Sequence, residues 1–140
     1  MTSRLVTFTV DGLHCAIALE QVEEVVAMPA ITALPGLSER LLGMVNLHGI
    51  ACPVVDLRRA LARPATAVDP TQQLLILRVG DRRMAAAADR VEGVVVATAD
   101  PVPSSHQAGS LIQGVVTSES RSILVLDASR LMDGLMEAVA

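Results

Sequence analysis

Aromatic residues are nearly missing from this chain of 140 residues, and lysine is absent. Phe8 is the only aromatic side chain, since tryptophan and tyrosine are absent, and all 11 basic residues are arginine. Proteins that bind single-stranded nucleic acid stack the bases on aromatic rings along a basic groove. A formal net charge of −4 also leaves no excess of basic residues for phosphates. We therefore predict no nucleic-acid partner and a core built from aliphatic side chains.

Long hydrophobic runs are also missing. Hydrophobic residues make up 51% of the chain and charged residues 19%, a balance typical of folded globular proteins. Charged residues, glycine or proline interrupt each apolar stretch well before the ~20 residues needed to cross a bilayer. The start, MTSRLVTFTV, lacks the apolar segment and cleavage site of a signal peptide. We therefore expect a cytoplasmic protein without direct membrane insertion, folded as one domain or as two small lobes sharing a core.

Cysteine and histidine are too few and too scattered for a metal or catalytic centre. His14, His48 and His106 lie at no metal-ligand spacing from one another or from a cysteine, and the chain has no CxxC motif. His14 and Cys15 are adjacent in a predicted strand and so point to opposite faces, which excludes a Cys–His pair. We predict no metal, no cofactor and no enzymatic activity, and buried thiols for Cys15 and Cys52.

Short β-prone runs separated by turn residues make up most of the chain. Asp11-Gly12 lies between two such runs, in a turn that needs a positive φ. Gly43 is expected to open the strand MVNL, Gly49 to turn the chain into IACPVV, and Asp56 to cap a short helix. Near the C-terminus, apolar residues recur at helical spacing: Leu131, Met132, Leu135, Met136 and Val139. They predict a helix that covers an open barrel end, with a partner-binding stripe as the alternative.

The sequence repeats itself. Residues 5–26 align with residues 74–95 at an offset of 69, and residues 41–61 align with residues 112–132 at an offset of 71. We interpret the chain as two copies of one β unit, residues 4–62 and 73–136, joined by a linker at 63–72. Each copy supplies about five short strands, and curling into a small barrel removes the exposed edges of such a sheet. The prediction is a mostly β protein of two packed small barrels with short helices and a C-terminal helix.

One extended pattern resembles a known family. It reads V-x-E-V, then P-x7-G-x-x-N-L-x-G-x3-P-V-V-D-L. Its fixed positions are Val22, Glu24, Val25, Pro35, Gly43, Asn46, Leu47, Gly49, Pro53, Val54, Val55, Asp56 and Leu57. This pattern resembles the CheW-like domain of bacterial chemotaxis coupling proteins. The similarity extends over roughly residues 4–136, and N-L-x-G followed by P-V-V-D-L is its most specific part.

The resemblance implies a single CheW-like domain made of two SH3-like five-stranded barrels. It also implies a non-catalytic adaptor, because family members link the cytoplasmic tip of a methyl-accepting chemoreceptor to the regulatory domain of the histidine kinase CheA. Kinase and coupler barrels alternate in rings beneath the membrane, so the protein would be recruited from the cytoplasm to receptor arrays.

The resemblance also implies two docking surfaces. The implied receptor-binding positions, in a groove between the lobes, are Val22, Val25, Ala85, Val91 and Val94. The implied kinase-binding positions are Ile31, Gly43, Gly49 and Ile50. In the family an arginine usually stands between Leu and Gly of N-L-x-G and can pair with the glutamate that matches Glu24. Here that position is His48, which has a shorter reach and a conditional charge, so a Glu24–His48 ion pair is a further hypothesis.

Other functions stay open at this point. The same fold could serve a non-flagellar chemosensory array that governs twitching motility or a second-messenger output. A small ligand-binding regulatory barrel is a different class, although the sequence has no cluster of convergent polar residues that would favour it.

Overall fold

Strands dominate the computed structural model, which describes residues 2–36, 40–101 and 111–139. The strands are β1 (Ser3–Val10), β2 (Leu13–Ala18), β3 (Val22–Ala27), β4 (Leu41–Leu47), β5 (Ile50–Val55), β6 (Gln73–Val79), β7 (Arg82–Ala88), β8 (Arg90–Ala97), β9 (Asp100–Pro101), β10 (Ile112–Ser118) and β11 (Arg121–Leu126). A 3₁₀ turn spans Leu19–Gln21, and the α-helices are α1 (Leu57–Ala60) and α2 (Ala128–Val139). The predicted mostly β protein with short helices and a C-terminal helix is confirmed.

Two-residue turns connect three of the hairpins. The turn pairs are Asp11-Gly12, His48-Gly49 and Glu119-Ser120, and all six residues have positive φ, between 49° and 83°. Two successive residues in this region form the type I′ turn, whose twist matches that of the flanking strands. The predicted turn at Asp11-Gly12 is confirmed. His48 lies beside Gly49 because this hairpin, too, is closed by two left-handed residues.

The strands form two sheets, and each sheet takes strands from both sequence repeats. The strand order is β8-β1-β2-β11-β10-β9 in the first lobe and β3-β6-β7-β5-β4 in the second. Parallel pairing of β11 with β2 and of β5 with β7 joins the repeats within each lobe. The two orders are equivalent. Replacing each of the first five strands of the first lobe (β8-β1-β2-β11-β10) by its repeat equivalent gives the order of the second lobe (β3-β6-β7-β5-β4). The sequence interpretation, which gave each repeat its own barrel, did not foresee this exchange.

Both sheets curl into barrels. Strands β8 and β9 lie at opposite edges of the first sheet, yet only two residues separate Ala97 from Asp100. A flat sheet of six strands is ~24 Å wide, whereas three residue steps of extended chain span at most ~11 Å. The sheet edges must therefore approach each other. In the second lobe, β3 and β4 are the two edge strands of the sheet. The chain that follows β3 reaches β4, because Thr32 pairs with Met44, and this pairing closes the second barrel.

The largest hydrophobic core lies between the two lobes. Strands β1 and β6 each bury both faces, one inside their own barrel and the other against the opposite lobe. The side chains of β1, β2, β6 and β7 that meet between the lobes are Val6, Phe8, Val10, Cys15, Ile17, Leu75, Leu77, Met84, Ala86 and Ala88. Helix α2 packs Ala128, Leu131 and Met132 against this core, so it covers the boundary between the lobes and not the open barrel end that the sequence predicted. The two lobes therefore share one core, as the chain length suggested.

Local predictions agree with the structure except at one strand boundary. The carboxylate of Asp56 accepts hydrogen bonds from the backbone nitrogens of Arg58 at 3.1 Å and Arg59 at 3.4 Å, so the predicted helix cap is confirmed. Strand β4 begins at Leu41, so Gly43 lies within the strand, at a register shift, and does not open it. The segment around His106, residues 104–110, lies outside the described residues, as do the side chains of the C-terminal helix from residue 134 onward.

Candidate docking surfaces

Strands β3 and β8 carry four of the predicted receptor-binding residues along the edge of the inter-lobe core. Val22 and Val91 are half-buried and pack against this core. Val25 and Val94 are exposed, with 39% and 54% of their surface accessible. The two strands are equivalent in the repeat, so the exposed valines occupy matching positions on the two lobes.

Strand pairing explains why the exposed valines border the core. Val94 is the register partner of Val6, whose side chain belongs to the inter-lobe core. Directly paired residues of antiparallel strands point to the same face of the sheet. The backbone nitrogen of Val91 donates to Oε1 of Gln73 at 2.9 Å, and Gln73 pairs with Ala27 in β3. The start of β8 is thus tied to the strand that pairs with β3, and the valines of both strands flank the lobe boundary.

Ala85 is the exception among the predicted receptor-binding residues. It is fully buried inside the second barrel, where it pairs with Ile76 and Val54. Strand β7 alternates its side chains between the barrel interior and the inter-lobe core, so neither face of its centre reaches the surface. We correct the sequence interpretation here, because a methyl group without accessible surface cannot contact a receptor.

The β4–β5 hairpin of the second lobe carries the exposed part of the predicted kinase-binding surface. Ile50 has 55% of its surface accessible, an unusual exposure for isoleucine. Gly49 is exposed in the turn with φ 83°, and its backbone nitrogen donates to Oδ1 of Asn46 at 2.9 Å. Asn46 therefore stabilises the turn that presents Ile50, which explains the asparagine of the N-L-x-G motif.

Gly43 and Ile31 form the base of the same surface. Ile31 is half-buried and packs against the interior of the second barrel. A Cβ atom at Gly43 would collide with the carbonyl oxygen of Thr32 and lie 2.8 Å from Cγ2 of Ile31. Gly43 itself is buried, so it acts by letting the segment around Ile31 approach β4 closely.

The structure brings Glu24 and His48 together. Nε2 of His48 lies 3.2 Å from Oε1 and 3.4 Å from Oε2 of Glu24. The histidine side chain is 77% exposed, so water screens the interaction strongly. The contact links the β4–β5 turn to β3, on the strand face opposite to that of Val25, because Glu24 pairs with Ile76 of the barrel interior and Val25 pairs with Leu75 of the inter-lobe core.

A small cleft opens at the equivalent end of the first lobe. Its volume is about 180 Å³. The lining residues are Thr7, His14, Glu92, Val95, Ser118, Glu119, Arg121 and Ile123. Nδ1 of His14 lies 3.3 Å from Oε1 of Glu92. Arg83 and Glu23 occupy the equivalent positions of the second lobe and form a bidentate pair at 2.9 and 2.8 Å.

Metal-ligating side chains are dispersed over the described part of the chain. Across residues 2–36, 40–101 and 111–139, no three His, Cys, Asp or Glu side chains are grouped to hold a metal ion. Cys15 and Cys52 are buried as predicted, and burial raises the pKa of the Cys15 thiol to about 12. Within the same part of the chain, no helix combines the length and apolarity needed to cross a membrane.

Two fused barrels with exposed apolar residues at their edges define a class of small β docking domains. The CheW-like domain family matches residues 4–136, so the chain belongs to this family of chemotaxis coupling adaptors. The chemotaxis protein CheW of Bacillus subtilis (strain 168) is 24% identical over 135 residues, which cover 93% of this chain and 86% of the relative. The chemotaxis protein CheW of Thermotoga maritima is 26% identical over 132 residues, covering 92% and 87%.

A solved structure has the same fold. The crystal structure of the scaffolding protein TtCheW from Thermoanaerobacter tengcongensis matches with a TM-score of 0.81 at 20% identity. The match covers 91% of this chain and 85% of that one. The predicted fold of two packed SH3-like barrels is thereby confirmed.

Proposed function

We propose that this protein is a non-enzymatic coupling adaptor that links the cytoplasmic tip of a methyl-accepting chemoreceptor to the regulatory domain of the histidine kinase CheA. In this role it is recruited to membrane-associated receptor arrays. The observation that carries the proposal is the pair of exposed valines, Val25 and Val94, at equivalent positions beside the inter-lobe core of a CheW-like domain.

The receptor side of the proposal rests on small apolar side chains. Val25 and Val94 flank the lobe boundary, and Val22 and Val91 continue from them into the core. A helical hairpin with an apolar face can dock into such a groove, because small side chains allow close approach and the buried area is apolar. Ala85 is left out of this surface because it is buried.

The kinase side rests on the β4–β5 hairpin. Ile50 projects from a turn that Asn46 stabilises, and Ile31 and Gly43 shape its base. An exposed isoleucine on a rigid turn fits a complementary apolar recess in a partner barrel, and interface cores of this kind supply most of the binding energy.

The test is a pair of binding measurements with charge-inserting variants. Val94→Glu should weaken binding to a receptor cytoplasmic fragment by about tenfold or more and leave kinase binding unchanged, since a buried unpaired charge is costly. Ile50→Glu should do the reverse with the isolated kinase regulatory domain. Val68→Glu is the matched control, because Val68 is also an exposed valine but lies in the 63–72 segment. If the parent protein binds neither partner, the proposed function is wrong.

A further inference from the structure

An ionic network crosses the boundary between the lobes on one side of the molecule. Arg58 of α1 contributes its guanidinium from the second lobe, and Asp11 lies in the β1–β2 turn of the first. Asp89 lies where the chain passes from β7 in the second lobe to β8 in the first. We call Arg58, Asp11 and Asp89 the inter-lobe clamp.

The clamp has short and directional contacts. Nη1 of Arg58 lies 3.1 Å from Oδ1 of Asp11, and its Nη2 donates to Oδ2 of Asp89 at 2.9 Å. The backbone nitrogen of Asp11 donates to the same Oδ2 at 2.7 Å. Outer contacts hold both carboxylates, because Arg63 donates to Asp11 at 2.9 Å and Gln72 to Asp89 at 3.0 Å.

Burial makes these contacts selective for one geometry. The Arg58 side chain is only 16% exposed, and its Nε is buried without a hydrogen-bond partner. Replacing a buried ion pair by apolar side chains is often neutral or even stabilising. Stability alone therefore does not explain why this position is an arginine. The planar guanidinium of Arg58 donates in fixed directions, so it determines how the carboxylates of Asp11 and Asp89 are oriented relative to each other.

On the opposite side of the lobe boundary, the described residues form an exposed ion pair rather than a buried network. Nη1 of Arg82 lies 2.6 Å from Oδ1 of Asp133, and the two side chains are 39% and 61% exposed, so water screens this contact. By the repeat offsets, Gly80 stands for Asp11, Glu20 for Asp89 and Ser129 for Arg58. That side is covered instead by α2, whose Ala128, Leu131 and Met132 enter the core. Apolar burial is non-directional, so helix packing stabilises the lobes together without determining their angle as sharply as the clamp does.

We infer that Arg58 is a positioning residue that fixes the angle between the two lobes, and thereby the angle between the receptor groove and the kinase-facing hairpin. The first half of this inference concerns the protein alone. The second half rests on the proposed function, because a coupling protein transmits a receptor movement only if its two docking surfaces keep a defined orientation.

The first test measures the lobe angle directly. Spin labels at Thr117→Cys in the first lobe and Ala51→Cys in the second occupy exposed positions, and the buried native thiols resist labelling. The interlabel distance distribution should be narrow in the parent and should broaden or shift in Arg58→Met. Arg82→Met is the matched control, since it removes the 2.6 Å contact of Arg82 with Asp133 on the opposite side. An unchanged distribution in Arg58→Met overturns the inference.

A second variant keeps the test decisive if Arg58→Met does not fold. Combining Arg58→Met with Asp11→Asn and Asp89→Asn removes the clamp without leaving an uncompensated buried charge. This triple variant should fold, and it should broaden or shift the distance distribution as well. A triple variant with the parent distribution also overturns the inference.

The second test measures coupling. The triple variant should bind the isolated kinase regulatory domain with parent affinity, because the β4–β5 hairpin lies entirely within the second lobe. The receptor groove takes valines from both lobes, so kinase control is compared at a saturating concentration of receptor fragment. Control of kinase activity by the receptor should fall by about fivefold or more, the size of a typical coupling effect. If the triple variant broadens the interlabel distance distribution but keeps full receptor control of kinase activity, then the lobe angle does not affect coupling. That outcome overturns the second half of the inference and leaves the first half intact. A parent protein that confers no receptor control counts against the proposed function instead.

Discussion

The equivalent turns at the ends of the two lobes have the same backbone and opposite surface chemistry. Both are two-residue turns with positive φ, but His48 and Ile50 of the second lobe correspond to Glu119 and Arg121 of the first. One turn presents an exposed apolar side chain, and the other presents two charges. The comparison indicates that the repeat preserves the turn geometry while a few surface positions change the chemistry that each end presents.

The barrel interiors behind these turns differ in the same way. Thr7 and Ser118 of the first lobe correspond to Ile76 and Leu47 of the second. The smaller polar side chains line the cleft of about 180 Å³ in the first lobe, whereas Ile76 and Leu47 are buried in the core of the second. The same positions of the repeat therefore hold polar side chains beside a cleft in the first lobe and buried apolar side chains in the second.

The largest difference between the lobes is expected at Gly43 and its equivalent Gly114. A Cβ at Gly43 would collide with the Thr32 carbonyl, whereas at Gly114 the nearest atoms would lie 2.9 and 3.0 Å away. Gly43→Ala should lower the free energy of unfolding by about 3 kcal/mol, at the upper end of overpacking effects, and Gly114→Ala by about 1 kcal/mol. Urea unfolding of both variants measures the difference. Equal losses would mean that the two bulged strands tolerate a side chain equally.

Exchanging the interior residues tests the filling of the barrels. Ile76→Thr should cost about 2 kcal/mol, because it creates a cavity and buries a hydroxyl group in the second lobe. Thr7→Ile should change stability by less than about 1 kcal/mol, since the added carbon atoms enter the existing cleft while the 3.2 Å hydrogen bond from Thr7 to the Gly93 carbonyl is lost. Thermal unfolding of each variant gives the values. A Thr7→Ile variant as unstable as Ile76→Thr would contradict the comparison.

The inter-lobe clamp should make the stability of the protein sensitive to acid. Burial raises the pKa of Asp89, but hydrogen bonds from the Asp11 backbone, Gln72 and Arg58 outweigh it, and the folded-state pKa is lowered. Its contribution to stability is therefore present above the unfolded value of about 3.9 and lost as pH falls through the lowered folded value. Asp89→Asn should flatten the stability–pH curve below about pH 4. Urea unfolding over this pH range measures the slope, and a slope in Asp89→Asn equal to that of the parent would contradict the prediction.

Much of the fold could be predicted from the sequence because its causes are local or periodic. The turn at Asp11-Gly12, the cap at Asp56 and the repeat itself follow from residue type and spacing. The exchange of strands between the lobes could not be predicted, since the same alternating pattern fits pairing within a repeat and pairing between repeats. Ala85 was assigned to the receptor surface by the family resemblance, and the local sequence could not correct this, because β7 is apolar on both faces and nothing local marks its centre as buried.

The clamp was also missed at the sequence level. Asp11, Arg58 and Asp89 are far apart along the chain and resemble ordinary turn and helix residues. The available signal was the asymmetry of the repeat, in which these three charged residues have Gly80, Ser129 and Glu20 as their equivalents. A comparison of the repeats by their differences rather than their identities would have found it.

The smallest effect is expected at His48. Removing its exposed contact with Glu24 by His48→Ala should change the free energy of unfolding by less than about 0.5 kcal/mol, because water screens such pairs. Binding should respond more than stability, since the contact orients the turn that carries Ile50. His48→Arg supplies a permanent charge and a forked donor to Glu24 and should strengthen binding to the kinase regulatory domain by about twofold to fivefold, or 0.4 to 1 kcal/mol. Glu119→Arg places an arginine at the equivalent position of the first lobe, with a larger change in charge (−1 to +1), and should leave that affinity unaltered. If His48→Arg and Glu119→Arg have equal effects, then overall charge and not the Glu24 contact determines the affinity.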